Sequence, residues 1–205
     1  MVKGGGEILG SVRAPLGATD YSPYLLQAQA SGAKVVGLAT AGSDTINVIK
    51  QASEFGLVKR GQRLGGLLVY INDVNALGLE AAQGLILTTS FYWDLNDETR
   101  AWSERFFKYM GGNRPTNMLQ AGLYAGILHY LKAIEAVGTD EAVAVSKKMR
   151  ELPVNDFYKN VRLRADGRVL HVNYLMQVKT PAILNGRAAA RVSSCELGLD
   201  MGRRF

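Results

Sequence analysis

Between Tyr21 and Phe55 the hydrophobic pattern changes period twice, and those changes define the first elements. Tyr24, Leu25, Ala28 and Gln29 fall at helical spacing, with Asp20 or Ser22 available as N-cap, Pro23 suited to the first turn and Gly32 as the stop. The run Val35, Val36, Gly37, Leu38, Ala39 is continuously apolar, as a strand covered on both faces of a parallel sheet must be. A short polar loop, Thr40 to Asp44, precedes a second helix in which Ile46, Ile49, Ala52 and Phe55 recur every third residue until Gly56. Helix, strand, loop and helix make half of a doubly wound α/β domain. In such sheets ligands sit beyond the carboxyl ends of strands, where helix N-termini offer free N–H groups. The loop from Ala41 to Asp44 is therefore the first candidate site.

Around that unit the pattern predicts further strands. Glu7 to Val12 reads as a short strand, followed by a loop from Arg13 to Thr19. Leu64 to Ile71 reads as a buried strand whose paired glycines suggest close packing against a helix, and Leu85 to Thr88 as another, with a helix from Val74 to Ala82 between them. Asn72 and Asp73 follow a strand end, and suit either a turn or cap or a ligand contact.

From Thr89 onward the pattern becomes helical. Arg100 to Met110 carries Trp102, Phe106 and Tyr109 as an aromatic stripe, which predicts a packed face. Thr116 is placed to cap a long helix whose apolar face is Leu119, Leu123, Ile127, Tyr130, Leu131 and Ile134, with His129 beside it. Thr139 or Asp140 caps a third helix that Pro153 closes. Three amphipathic helices in a row, with no strands among them, leave a large apolar surface and need a sheet that this chain does not obviously supply. Val161 to Val178 alternates about a turn at Ala165 to Arg168, and beyond Pro181 the periodicity dissolves into an irregular tail.

Composition narrows the chemistry. The 205 residues carry a formal charge of +6, but Lys and Arg are scattered among acids, which argues against a nucleic-acid partner. One cysteine excludes an intrachain disulfide, and the two histidines, His129 and His171, stand apart from any carboxylate or cysteine cluster, so no metal is expected. No glycine-rich phosphate loop follows a strand, Ser43 lacks the far glycine of a nucleophile elbow, and no carboxylate pair suggests acid–base work. Neither an enzyme nor a cofactor is expected. Small-molecule binding is the default.

Four collinear strings carry a resemblance over Val2 to Pro181: YLLQAQASGAKVVGLATAGSDTINVIKQASEFGL, GLEAAQGLILTTSFYWDLNDETRAWSERFF, RPTNMLQAGLYAGILHYLKAIEAVGT and RADGRVLHVNYLMQVKTP. They resemble the solute-binding components of ABC importers, of the branched-chain amino acid (leucine/isoleucine/valine) class with the type I periplasmic binding fold. The resemblance implies two α/β lobes that close on a small solute in an interlobe cleft and then dock on a membrane permease. It implies that residues 1–88 and 155–180 form most of the second lobe, 89–154 the helical part of the first, and 181–205 an atypical tail. It also implies a solute wall made of Ala41, Gly42, Ser43 and Asp44 with Asn72 and Asp73. Asp44 suits either a substrate ammonium or a helix N-cap. Where leucine-binding relatives place an aromatic residue, this chain has Ala41 and Gly42, which implies a roomier pocket for a bulkier carboxylated or aromatic solute. The sequence opens without a basic-then-apolar leader. The expectation is thus a truncated fragment of such a protein, periplasmic in the family and cytoplasmic if made as given. The alternatives are a non-functional remnant or a cytosolic small-molecule sensor of the same fold.

Overall fold

The computed structural model describes residues 5–111, 116–154, 156–158 and 161–179. They fall into two compact units, one of residues 5–88 with 175–179 and one of residues 89–174.

The first unit carries α1 (Ser22–Ala30), β1 (Val35–Leu38), α2 (Gly42–Glu54), β2 (Arg63–Gly66), α3 (Ile71–Leu77), α4 (Leu79–Ala82) and β3 (Ile86–Thr89). A last strand, β6 (Tyr174–Gln177), completes a sheet of order β1-β2-β3-β6. β1 pairs with β2, and β2 with β3, in parallel, so the α/β doubly wound expectation holds. Leu38, Ile49, Ala52, Leu57, Leu64 and Leu85 form the centre of the core. α2 turns Thr45, Val48, Ile49 and Ala52 inward while Ile46 and Phe55 are half-buried, a face rotated slightly from the one that the every-third-residue spacing suggests.

Several boundaries differ from expectation. Glu7 to Val12 is not a strand; it runs as exposed coil, since local pattern cannot make a strand without a paired neighbour. β1 is not buried on both faces, because it stands at the end of the strand order; Val35 is 56% exposed. β2 stops at Gly66, after which the chain turns and Ile71 enters α3. The paired glycines do not pack against a helix: Gly66 faces Val69 in that turn, and Gly65 faces Val35 of β1. The helix expected from Val74 to Ala82 is two short helices, parted at Gly78 (φ 77°).

The second unit contains α5 (Asp97–Met110), α6 (Met118–Val137), α7 (Ala142–Glu151) and an antiparallel hairpin of β4 (Arg162–Leu163) and β5 (Val169–Leu170). Phe91, Trp102 and Ala121 centre its aromatic core, with Phe106 stacked on Trp102 at 5.6 Å and Phe157 against both Phe91 and Trp102. Tyr109 does not join the stripe and is 89% exposed. Asn96, Asn117 and Glu141 cap the three helices, accepting first-turn N–H groups. Thr116, expected as a cap, is instead buried and hydrogen-bonded to Ser103 at 2.7 Å.

On α6 the bulky apolar face lies open, in keeping with the expectation that this chain does not supply the sheet it needs. The buried stripe of α6 is Ala121, Ala125, His129 and Ala133 at four-residue spacing; the three alanines allow close helix approach, and His129 Nε2 meets the Met149 carbonyl of α7 at 2.8 Å. Leu119, Leu123, Ile127, Tyr130 and Leu131 are exposed. The irregular tail expected at 181–205 lies outside the described residues.

Candidate functional site

The first unit places both candidate loops at carboxyl ends of adjacent parallel strands. Leu38 pairs with Gly66 in register and its carbonyl accepts the Leu67 N–H at 3.1 Å, so β1 and β2 end side by side. From β1 the chain passes Thr40, whose hydroxyl oxygen accepts the Thr45 hydroxyl at 2.8 Å, into Ala41 and α2. Ala41 occupies the N-cap with extended backbone (φ −139°, ψ 158°), but its methyl group cannot accept a hydrogen bond and no side chain caps the helix. Gly42 follows at φ 57°, a left-handed conformation that favours glycine. Ala41, Gly42 and Ser43 are exposed at the start of α2, where the first-turn N–H groups have no partner within the helix.

Asp44 points the other way. It is 7% exposed, and Oδ2 accepts the Gly17 N–H at 3.0 Å. Tyr21 lies beside it, 2% exposed; burial, and next the charge of Asp44 and a hydrogen bond with it, push the phenol pKa up. Two turns along α2, Gln51 accepts the Tyr21 N–H at 2.7 Å and donates to the Thr19 carbonyl at 2.9 Å. Asp44 and Gln51 together fasten the loop before α1 onto α2.

On the neighbouring strand, Asn72 and Asp73 are the second and third residues of α3 and are half-buried. Asp73 Oδ2 accepts the Tyr70 N–H at 2.8 Å, closing the start of its own helix. The structure thus carries the six sequence-chosen residues at the starts of the two helices that follow adjacent strands, Ala41 as the N-cap of α2 and the other five in the first turns of α2 and α3, and turns two of them, Asp44 and Asp73, to bracing the protein. Gly17, Tyr21 and Gln51 escaped the sequence reading. The spacing of Asp44 and Gln51, seven residues on one helix face, was the one local sign of a shared partner.

A parallel sheet flanked by helices, with its open loops at the strand carboxyl ends, is the sheet-bearing half of a type I periplasmic binding fold. The profile of the periplasmic binding protein family matches residues 1–186, and the chain belongs to that family. It is similar to a periplasmic binding protein of Burkholderia mallei, at 42% identity and TM-score 0.83 over 94% of this chain and 51% of the other. It is also similar to a branched-chain amino acid ABC transporter periplasmic ligand-binding protein of Burkholderia xenovorans LB400, at 40% identity and TM-score 0.81 over 94% of this chain and 52% of the other. A Leu/Ile/Val-binding protein homolog 6 of Brucella melitensis is 34% identical over 148 residues, 69% of this chain and 37% of the relative. The chain spans about half the length of the two solved relatives and 37% of the Brucella protein. The family and fold implied by the four strings are those found.

Proposed function

We propose that the chain acts as the solute-binding component of an ABC importer, holding a branched-chain amino acid or a related amino or aromatic acid for delivery to a membrane permease in the periplasm. The observation that carries this reading is the pair of strand-end loops on β1 and β2, one of which opens the uncapped N-terminus of α2. The 40% identity to a protein described as a branched-chain amino acid ABC transporter component supports it. In this reading the sheet-bearing unit belongs to one lobe and α5, α6 and α7 to the other. Ala41, Gly42, Ser43 and Asn72 line one wall of the solute site, braced by Asp44 and Asp73. The role is capture and release, with no chemical step assigned to any side chain.

Thermal unfolding of the 205-residue chain, followed by circular dichroism against a panel of amino acids and aromatic acids, tests the proposal. One ligand should raise a cooperative midpoint, since a ligand selective for the folded state stabilises it. The exposed bulky face of α6 favours a second reading, in which the chain no longer captures a solute. A broad transition that no ligand moves would select that reading.

A further inference from the structure

The unit of residues 89–174 holds a cavity of about 450 Å³ between α6, α7 and the β4–β5 hairpin, and this cavity shares no residue with the strand-end loops. Its size falls among those of small-molecule pockets. Met118, Leu119, Met149, Val161, Leu163 and Val169 supply apolar walls. On the α6 side the lining includes Gly122 and Gly126, where an added Cβ would first meet the Tyr158 hydroxyl at 3.9 Å and nothing within 4 Å, respectively. The space is therefore kept open by the absence of side chains on one helix face.

Most polar groups on the lining already have partners. His129 Nε2 meets the Met149 carbonyl at 2.8 Å, the Tyr158 hydroxyl lies 3.5 Å from Ser90 Oγ, and His171, stacked on the Tyr158 ring, brings Nδ1 to 3.2 Å from the Val172 carbonyl. Asp156 differs. It is half-buried, its Oδ1 accepts the Tyr158 N–H at 2.7 Å, and no described residue donates to its Oδ2. Burial pushes the carboxyl pKa up, against the Tyr158 N–H and the charges of Lys132 and His129, which lower it. Among the described residues Asp156 is the only carboxylate on the lining, and no Lys or Arg lines the cavity. A carboxylate set in an apolar wall gains most from a cation that also donates hydrogen bonds. We propose that this cavity binds a small hydrophobic amine in its ammonium form, with the apolar body against the walls and the ammonium donating to Asp156 Oδ2.

A pair of ligands with one skeleton isolates the charge: 4-phenylbutylamine and 4-phenylbutan-1-ol, titrated calorimetrically into the 205-residue chain. The amine should bind at least tenfold more tightly than the alcohol. Asp156→Asn keeps an oxygen for the Tyr158 N–H and removes the charge, so it should bring the amine to the level of the alcohol. Gly126→Leu, a substitution that favours helix formation, places a side chain in the cavity and should weaken amine and alcohol alike by at least tenfold. Both variants should keep the circular dichroism spectrum; if one unfolds, the other still decides. Equal affinity for the two ligands, or amine binding that a folded variant leaves unchanged, overturns the proposal. So does a chain that binds neither ligand, including one that sediments as a dimer because a second copy fills the cavity. Each of these results leaves the solute-binding reading standing, since that site is built from other residues.

Discussion

Asp44 and Gly17 are 27 positions apart, yet the carboxylate of the first accepts the amide N–H of the second at 3.0 Å. That contact converts a residue at the mouth of a candidate site into a brace for the loop that precedes α1. Asp44→Ala leaves the part-buried Gly17 N–H without its acceptor, and should cost about 1–3 kcal/mol in urea unfolding. Asp44→Asn keeps an acceptor oxygen and should cost less. Equal losses for the two would mean that charge, and not the hydrogen bond, is what the position supplies.

The two glycines that look alike in sequence, Gly37 in β1 and Gly66 in β2, have different surroundings. A Cβ on Gly66 would stand 2.2 Å and 2.9 Å from Val69 Cγ2 and Cβ, and a branched side chain beside a turn cannot swing away. At Gly37 nothing lies within 4 Å. Gly66→Ala should destabilise by about 1–3 kcal/mol, and Val69→Ala in the same chain should return part of that loss. Gly37→Ala should be nearly neutral. Indistinguishable unfolding midpoints for the two alanine variants would refute the close approach.

How much of this was legible depended on the range of the contact. α2 could be read because Gly42 to Gly56 carries its own start, stripe and stop. The strand expected at Glu7 to Val12 failed because a strand exists only with a partner, which local pattern does not reveal. Of the two strand ends expected beside the candidate residues, the second falls at Gly66 and not at Ile71, and Asp44 could not be assigned between ammonium and cap, since Gly17 and Tyr21 reach it through tertiary folding. In α6 the bulky apolar face and its want of a covering sheet were legible, but the stripe that packs on α7 was not. Periodicity reports which side chains share a face, and only packing decides which face is buried.

The two faces of α6 have a direct test. Ala125 is on the buried side and Leu123 is 66% exposed. Ala125→Leu forces extra methylenes into a close helix contact and should cost about 1–3 kcal/mol. Leu123→Gln should change thermal stability by no more than about 0.5 kcal/mol. The reverse order, with the leucine the costlier loss, would mean that the bulky face of α6 is the covered one.

The hairpin turn gives the pH dependence. The Arg164 guanidinium donates to both oxygens of Asp166, and the Arg168 N–H adds a third bond, holding the carboxyl pKa down to about 2. A carboxylate whose folded pKa lies below its unfolded value of about 3.9 stabilises the fold above that value and loses its contribution as pH falls through the folded one. Wild type should therefore lose stability between about pH 4 and pH 2 through this group. Asp166→Asn should flatten that limb slightly, and salt should shrink the difference because the pair is exposed. Parallel acid titrations of wild type and variant would remove Asp166 from the account.

Ser103 of α5 and Thr116, just before α6, share a 2.7 Å hydrogen bond between hydroxyls that are almost wholly buried. Either single removal strands the other hydroxyl away from water. Thr116→Val and Ser103→Ala should each cost about 1–3 kcal/mol, chiefly as the penalty of the orphaned partner. Removing both leaves no orphan, so the double variant should lie well short of the sum, with a coupling of about 1 kcal/mol in a double-mutant cycle. Strict additivity in chemical denaturation would show that the hydroxyls act independently. In that case the connection between α5 and α6 would rest on the aromatic core around Trp102 alone.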